Sequence, residues 1–224
     1  MIKEKNKGII IVISGPSGAG KGSICKRIVE EMEDVKISVS MTSRNPRETE
    51  KEGVDYYFVT KEAFEEKIAK DEFLEYAIVH GGNYYGTPKS SIEELINNGI
   101  NVILEIDIQG ALKIKELIKD AIFIFIMPPS MKELKNRLIK RNTETKESML
   151  ERFKTAYKEL NEYKKYNYVV ANDELEVAVN KVKSIIISEK CRVDRIEEIF
   201  LSSSEEEVHE ELIGKNFDNS ERVI

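Results

Sequence analysis

The sequence predicts an α/β fold, a mostly parallel sheet covered by helices and interrupted by two insertions. Three observations lead there. Apolar runs of strand length alternate with segments of helical period, the pattern of a sheet buried on both faces. A glycine-rich turn, GPSGAGKGS at residues 15–23, separates the first apolar run from the first amphipathic helix. Two more polar stretches, 38–87 and 128–160, break the alternation.

The elements follow in order. Residues 8–14 form a strand around the run Ile9–Ile13. After the glycine turn, Ile24, Ile28, Val29 and Met32 share one face of a helix. Further strands are expected at NVILEID (101–107), AIFIFIM (121–127) and YNYVVAN (166–172). Between them, SSIEELINNG sets Ile92, Leu95 and Ile96 on one helical face and ends at Gly99, while GALKIKELIKD supplies another crossover helix. A long helix is expected from about 174 toward 200. The first interruption mixes strand patterns with a short helix near 61–70 and a glycine turn at GGNYYG. The second is helical and charged, broken at NTETKES. The core therefore comprises 1–37, 88–127 and 161–200, and residues 201–224 form an acidic tail expected to be weakly ordered.

Bulk properties narrow the function. A chain of 224 residues can bury one sizeable core. Its net charge of −6 argues against nucleic-acid and membrane-surface partners. Two cysteines, Cys25 and Cys191, lack paired spacing and fit a reducing compartment. The two histidines, His80 and His209, stand apart from any metal-ligand cluster. The N-terminal apolar run is too short for a secretion signal, and no run approaches the roughly 20 residues of a membrane span, so a cytoplasmic location is expected.

The glycine turn carries the first chemical signal. Between a buried strand and a helix, such a turn directs backbone N–H groups onto phosphate oxygens, and the helix N-terminus adds positive potential. Gly15, Pro16, Ser17, Gly18, Ala19, Gly20, Lys21, Gly22 and Ser23 are thus candidate phosphate-binding residues, with Lys21 reaching the outer phosphates. Gly22 stands where a magnesium-binding hydroxyl is expected. Ser23, one residue later, is the candidate metal ligand, directly or through water. The GKGS form resembles the loops of nucleoside monophosphate kinases.

Other motifs separate the P-loop classes. Asp107-Ile108-Gln109-Gly110 matches the D-x-x-G of GTP hydrolases, but no N-K-x-D base-recognition motif accompanies it. An aspartate at a strand's end also serves simply as a helix cap. Arg44 and Arg47 flank Asn45-Pro46 on a tight turn, where both guanidinium groups can converge on one dianion. Tyr56 and the tyrosines of NYYGT (83–87) add phenolic donors, and EFLEYA places Glu75 on a strand facing the same cavity.

In this order after the loop, SVSMTSRNPR, GVDYYFV, EFLEYA, NYYGT and LEIDIQGA resemble the guanylate kinase family over residues 8–190. The resemblance implies a P-loop parallel-sheet core flanked by helices, with a mixed α+β GMP-binding insertion (38–87) and a helical lid (128–160). It implies transfer of the γ-phosphoryl group of ATP, bound with Mg²⁺, to GMP. Position by position, it implies Arg44, Arg47, Tyr56 and Tyr85 at the GMP phosphate and Ser40, Glu75, Thr87 and Asp107 around the guanine. Arg137, Arg141 and Arg152 would close over the phosphates alongside Lys21, with Asn172 near the adenine. Three features depart from the family pattern. HGGNYYG is one residue longer than usual, Glu105 replaces the aspartate of some members, and the tail has no counterpart. Two rivals remain: a kinase for another nucleoside monophosphate, and a peptide-docking domain of the guanylate-kinase-like kind, which typically lacks an intact loop.

Overall fold

The computed structural model describes the backbone of residues 2–4, 7–48, 50–79, 82–140 and 146–199, and their side chains outside 2–4, 79, 138–140, 146–152 and 197–199. The chain divides into two compact units, residues 6–186 and a smaller one of 1–5 with 187–224.

In the larger unit, five strands form one parallel sheet: β2 (Ile10–Ser14), β3 (Val35–Ile37), β8 (Asn101–Glu105), β9 (Ile122–Met127) and β10 (Tyr168–Ala171). Their spatial order is β10-β9-β2-β8-β3: from β2 the chain runs first to the β3 edge, returns to β8 beside β2, and then crosses to β9 and β10 on the other side. Helices cover both faces of this sheet. Alternate residues of β2 show it: Ile11 and Ile13 pack with Ile24, Ile28, Val179 and Val182, whereas Val12 packs with Ile92, Ala111 and Ile114. The first set belongs to α1 (Lys21–Glu31) and α7 (Leu175–Lys190), the second to α3 (Lys89–Asn97) and α4 (Ile108–Leu117). The near-continuous apolar runs of the central strands reflect burial on both sides.

A second, four-stranded sheet interrupts the core between β3 and α3. It runs β5 (Tyr57–Phe58), β4 (Met41–Thr42), β7 (Asn83–Pro88), β6 (Phe73–Val79), parallel between β4 and β5 and antiparallel elsewhere. The helix α2 (Lys61–Ala69), capped by the Thr60 hydroxyl on the Ala63 N–H, packs Phe64 onto this sheet. Phe64 stacks on Phe73 at 4.3 Å and on Tyr84 at 5.1 Å. Gly86 makes that stack possible, because a Cβ there would lie 2.9 Å from both phenylalanine rings. In the GGNYYG segment Gly82 takes a turn conformation with φ of 76°, while Asn83-Tyr84-Tyr85-Gly86 lies within β7. The second interruption folds as α5 (Met131–Lys140) and α6 (Lys146–Leu160), with Leu134 and Ala156 buried between them.

The C-terminal reading needs correction. The last helix ends at Lys190 rather than near 200, and a 3₁₀ turn (Val193–Arg195) leads into β11 (Ile196–Ile199). That strand pairs antiparallel with β1 (Ile2–Glu4) in the smaller unit. The Glu189 carboxylate, near the helix end, draws back Arg192 and Arg195 at 3.5 and 3.3 Å. The pairing partner comes from the chain's other end, so local periodicity could not announce it. Strands β8 and β10 are also shorter than expected, β8 because Asp107 already caps α4. The tail lies outside the described residues.

Candidate active site

The glycine loop joins β2 to α1. Gly15, Gly18 and Gly20 have φ of 145°, 88° and 92°, a region in which side chains are strained. Space is equally restrictive: a Cβ on Gly15 would lie 2.2 Å from the Ile126 carbonyl oxygen, and one on Gly20 would lie 2.3 Å from Asn172 Nδ2. Lys21 arches back over this turn, its Nζ donating to the carbonyls of Gly15 (2.7 Å) and Pro16 (3.3 Å). The ammonium group is therefore held at the mouth of the loop.

Two side chains grip the loop from outside. Asn172 Nδ2 donates to the Ala19 carbonyl at 2.7 Å, and Arg137 Nη1 reaches the same oxygen at 3.5 Å. Arg137 Nη2 also donates to the Asn172 carbonyl at 3.2 Å, and its Nε to Glu133 at 3.0 Å. Asn172, expected near the adenine, is buried with its amide on the loop backbone. Arg141 lies outside the described residues. Arg152 falls on α6, with its side chain outside them.

The missing hydroxyl at Gly22 has a neighbour. A Cβ added there would meet both Glu105 carboxylate oxygens at 3.5 Å, so an anionic oxygen pair stands at the end of β8 beside the loop. Ser23 is exposed on the first turn of α1. Among the described residues no group of three or more His, Cys, Asp or Glu gathers as a metal cage. These two hard oxygen donors instead suit a cation that keeps most of its ligands as water and phosphate. Burial raises the Cys25 thiol pKa well above its ordinary value; nearby Glu105 adds to the rise and Lys21 opposes it.

A second cluster lies beside the mixed sheet. Arg44 Nε donates to the Tyr85 hydroxyl at 3.0 Å, and its guanidinium carbon lies 5.5 Å from the Tyr56 ring centroid. Tyr56 and Tyr85 meet edge to face at 5.8 Å. The two arginines do converge on one anion, which here is the Glu50 carboxylate. Arg44 grips it through two bonds of 2.9 Å, and Arg47 Nη1 stands 4.0 Å away with its side chain 75% exposed. Hydrogen bonding to Arg44, chiefly, lowers the Glu50 pKa below the usual carboxylate range. Sequence reasoning passed over Glu50, although its place three residues after Arg47 was a usable signal.

On the same sheet, Thr87 and Glu75 face each other across the β6–β7 ladder, and the Thr87 hydroxyl donates to Glu75 Oε1 at 2.8 Å. Both are buried. The other Glu75 oxygen lies over Gly110, where a Cβ would come within 2.9 Å. The glycine of D-x-x-G thereby makes room for Glu75. Asp107 caps α4, its Oδ1 accepting from the Gly110 N–H at 2.7 Å. Ser40 precedes β4, and its carbonyl accepts from the Tyr57 N–H. A further carboxyl that the motifs did not single out, Glu159 near the end of α6, is half-buried; burial raises its pKa and nearby Lys21 lowers it.

Burial raises the Glu75 pKa above its ordinary value, the Thr87 hydrogen bond opposes this, and Asp107 adds to it. With the folded-state pKa above the unfolded one, the ionised carboxyl destabilises the fold at neutral pH, and the penalty fades as pH falls through both values. Glu75→Gln keeps an acceptor for Thr87 and removes the charge. It is expected to raise the thermal midpoint at pH 7, with the gain shrinking toward pH ~4. Thermal melts of both proteins across that range check this; a gain independent of pH would refute the charge as its cause.

The family model described as guanylate kinase matches residues 7–189. The guanylate kinase of Clostridium perfringens (strain SM101 / Type A) is 61% identical over 211 residues, 94% of this chain and 97% of its own length. That of Clostridium tetani is 59% identical over 206 residues, 92% and 98% of the two chains. The crystal structure of guanylate kinase from Anaplasma phagocytophilum superposes with a TM-score of 0.72 at 32% identity, over 95% of this chain and 98% of that one. Likeness of this extent, on a chain that carries the glycine loop, an arginine pair on Glu50 and a buried Glu–Thr pair, has one meaning: the chain belongs to the guanylate kinase family.

Proposed function

We propose that the γ-phosphoryl group passes from ATP on the glycine loop to GMP on the mixed sheet, giving ADP and GDP. The observation that carries the base assignment is the buried Glu75–Thr87 pair on the sheet whose Tyr85 meets Arg44 and Tyr56. Guanine's Watson–Crick edge offers two adjacent donors and one acceptor, which a carboxylate and a hydroxyl complement. Adenine presents the wrong pattern. Asp107 and Ser40 border the same pocket in this reading, and Arg47 joins the phosphate donors.

Phosphoryl transfer asks for positioning and charge stabilisation rather than covalent help. Lys21 leaves the Gly15 and Pro16 carbonyls for the outer phosphates as loop N–H groups take the rest. Arg137, already against the loop, supplies positive charge from the lid, joined by Arg141 and Arg152. Bound Mg²⁺ would neutralise phosphate charge, held by Ser23 and, through water, by Glu105. No general base is needed, because the acceptor phosphate is largely ionised near neutral pH. In this division of labour the core is 1–37, 88–127 and 161–200, the GMP-binding insertion 38–87 and the lid 128–160. Their closure excludes water as a competing acceptor.

A coupled assay of ADP release with GMP, AMP, UMP and CMP tests the reading. Turnover is expected with GMP alone, since a site built on paired hydrogen bonds rejects bases that leave its groups unpaired by up to ~10⁴–10⁵-fold. Comparable turnover with another monophosphate would overturn the base assignment, and no ADP release with any would favour a docking domain. Among the described residues no helix is long and apolar enough to cross a membrane.

A further inference from the structure

Glu50 presents a physical puzzle, on the assumption that Arg44, Arg47, Tyr56 and Tyr85 receive the GMP phosphate as proposed above. A carboxylate beside a dianion's site weakens the attraction, lowering the summed charge of Arg44, Arg47 and Glu50 from +2 to +1. Yet it sits at the centre of the cluster, with side chains of Arg44 and Glu50 only 17% and 12% exposed. Something other than charge must favour it there.

Hydrogen-bond geometry supplies the reason. A guanidinium has five N–H groups in a rigid fork. Arg44 directs Nη1 to Glu50 Oε2 (2.9 Å) and the Asn45 carbonyl (2.7 Å), Nη2 to Glu50 Oε1 (2.9 Å), and Nε to Tyr85 (3.0 Å). Among the described residues these bonds account for four of its N–H groups and leave one on Nη2. Because the Tyr85 hydroxyl accepts from Arg44, its own proton remains to be donated. Glu50 Oε2 also accepts from the Arg47 backbone N–H at 2.8 Å, and the Glu50 N–H donates to the Arg47 carbonyl at 3.0 Å. The turn carrying Arg47 is thereby closed, with its guanidinium toward solvent.

We propose that Glu50 is a positioning residue of the nucleotide-phosphate site. It locks the Arg44 fork, and through it the Tyr85 hydroxyl, in a fixed orientation before nucleotide arrives, and it shapes the turn that presents Arg47. The ordering entropy of these donors is then largely met by folding rather than at the moment of binding. Weaker long-range attraction is the cost of a preorganised donor set.

The sign of one substitution separates geometry from charge. Glu50→Gln keeps the side chain's shape, removes the negative charge, and turns an –NH₂ group toward Arg44 donors. If charge dominates, GMP binds more tightly; if orientation dominates, more weakly. Dissociation constants for GMP, and for guanosine as its competitor, would be measured on the full chain for wild type, Glu50→Gln, Glu50→Ala and Arg44→Gln. Both Glu50 variants are expected to weaken GMP binding by about 10–100-fold and to leave guanosine binding and the KM for ATP unchanged. A generally damaged insertion would lose guanosine in the same proportion. GMP binding by Glu50→Gln as tight as wild type or tighter, or an equal loss of GMP and guanosine, would overturn the role of Glu50. If Arg44→Gln abolishes the preference for GMP over guanosine while Glu50→Gln retains it, only the positioning role fails. If Arg44→Gln retains that preference, the phosphate assignment fails and this role with it.

Discussion

Lys21→Met is expected to lower turnover by about 10²–10³-fold while GMP binding stays close to wild type. Methionine preserves an unbranched apolar stem but brings no charge to the transferring group. The Lys21 ammonium group rests on the Gly15 and Pro16 carbonyls, so its loss removes one donor from each, and Pro16 keeps the Ala19 N–H. The loop backbone keeps the hydrogen bonds of Asn172 and Arg137 to the Ala19 carbonyl and should survive. Steady-state kcat and calorimetric titration with GMP check the prediction together. Turnover within a factor of about two of wild type would show that Lys21 does not stabilise the transition state.

Glu75→Ala is the second large effect, and its signature is selectivity. Removing the carboxylate leaves the Thr87 hydroxyl without its acceptor and opens space over Gly110, yet touches nothing on the ATP side. Use of GMP is expected to fall by as much as ~10⁴-fold in kcat/KM, with ATP binding unchanged. Inosine monophosphate lacks the 2-amino group, so it should be a poor substrate for wild type and lose far less on mutation. An equal loss for both nucleotides would move recognition of the 2-amino group to other residues. Stability should not fall in step with activity, because the ionised carboxyl that burial disfavours is removed along with its packing. A collapse of the thermal midpoint would indicate that packing of the Glu75 stem outweighs its desolvation.

Much of this was legible one segment at a time. The βαβ rhythm, the loop and both interruptions are written in local periodicity, because a strand buried on two faces must be apolar throughout and a covering helix must be apolar every third or fourth residue. Ile24 and Ile28 on α1, and Ile92 with its neighbours on α3, fell on their buried faces for this reason. Local chemistry likewise singled out Lys21, the arginine pair and Glu75, since their neighbours in sequence are their neighbours in space or mark the same strand. The D-x-x-G signal was ambiguous for the same reason: a cap and a ligand look alike until the third partner is known.

That third partner was always remote in sequence. Asn172 meets Ala19 across 153 positions, an encounter made possible only by β10 and β2 lying on either side of β9. Glu105 stands over Gly22 because β8 neighbours β2, and Gly110 is a glycine because Glu75 arrives from another sheet. The strand that replaced the end of the last helix needed the N-terminal residues as its partner. Local sequence determined which residues could do chemistry and which faces had to be buried, because side-chain period and turn preference act over a few residues. The tertiary structure alone decided which of those residues meet, because a hydrogen bond of about 3 Å between distant segments depends on strand order and helix packing that no short stretch encodes.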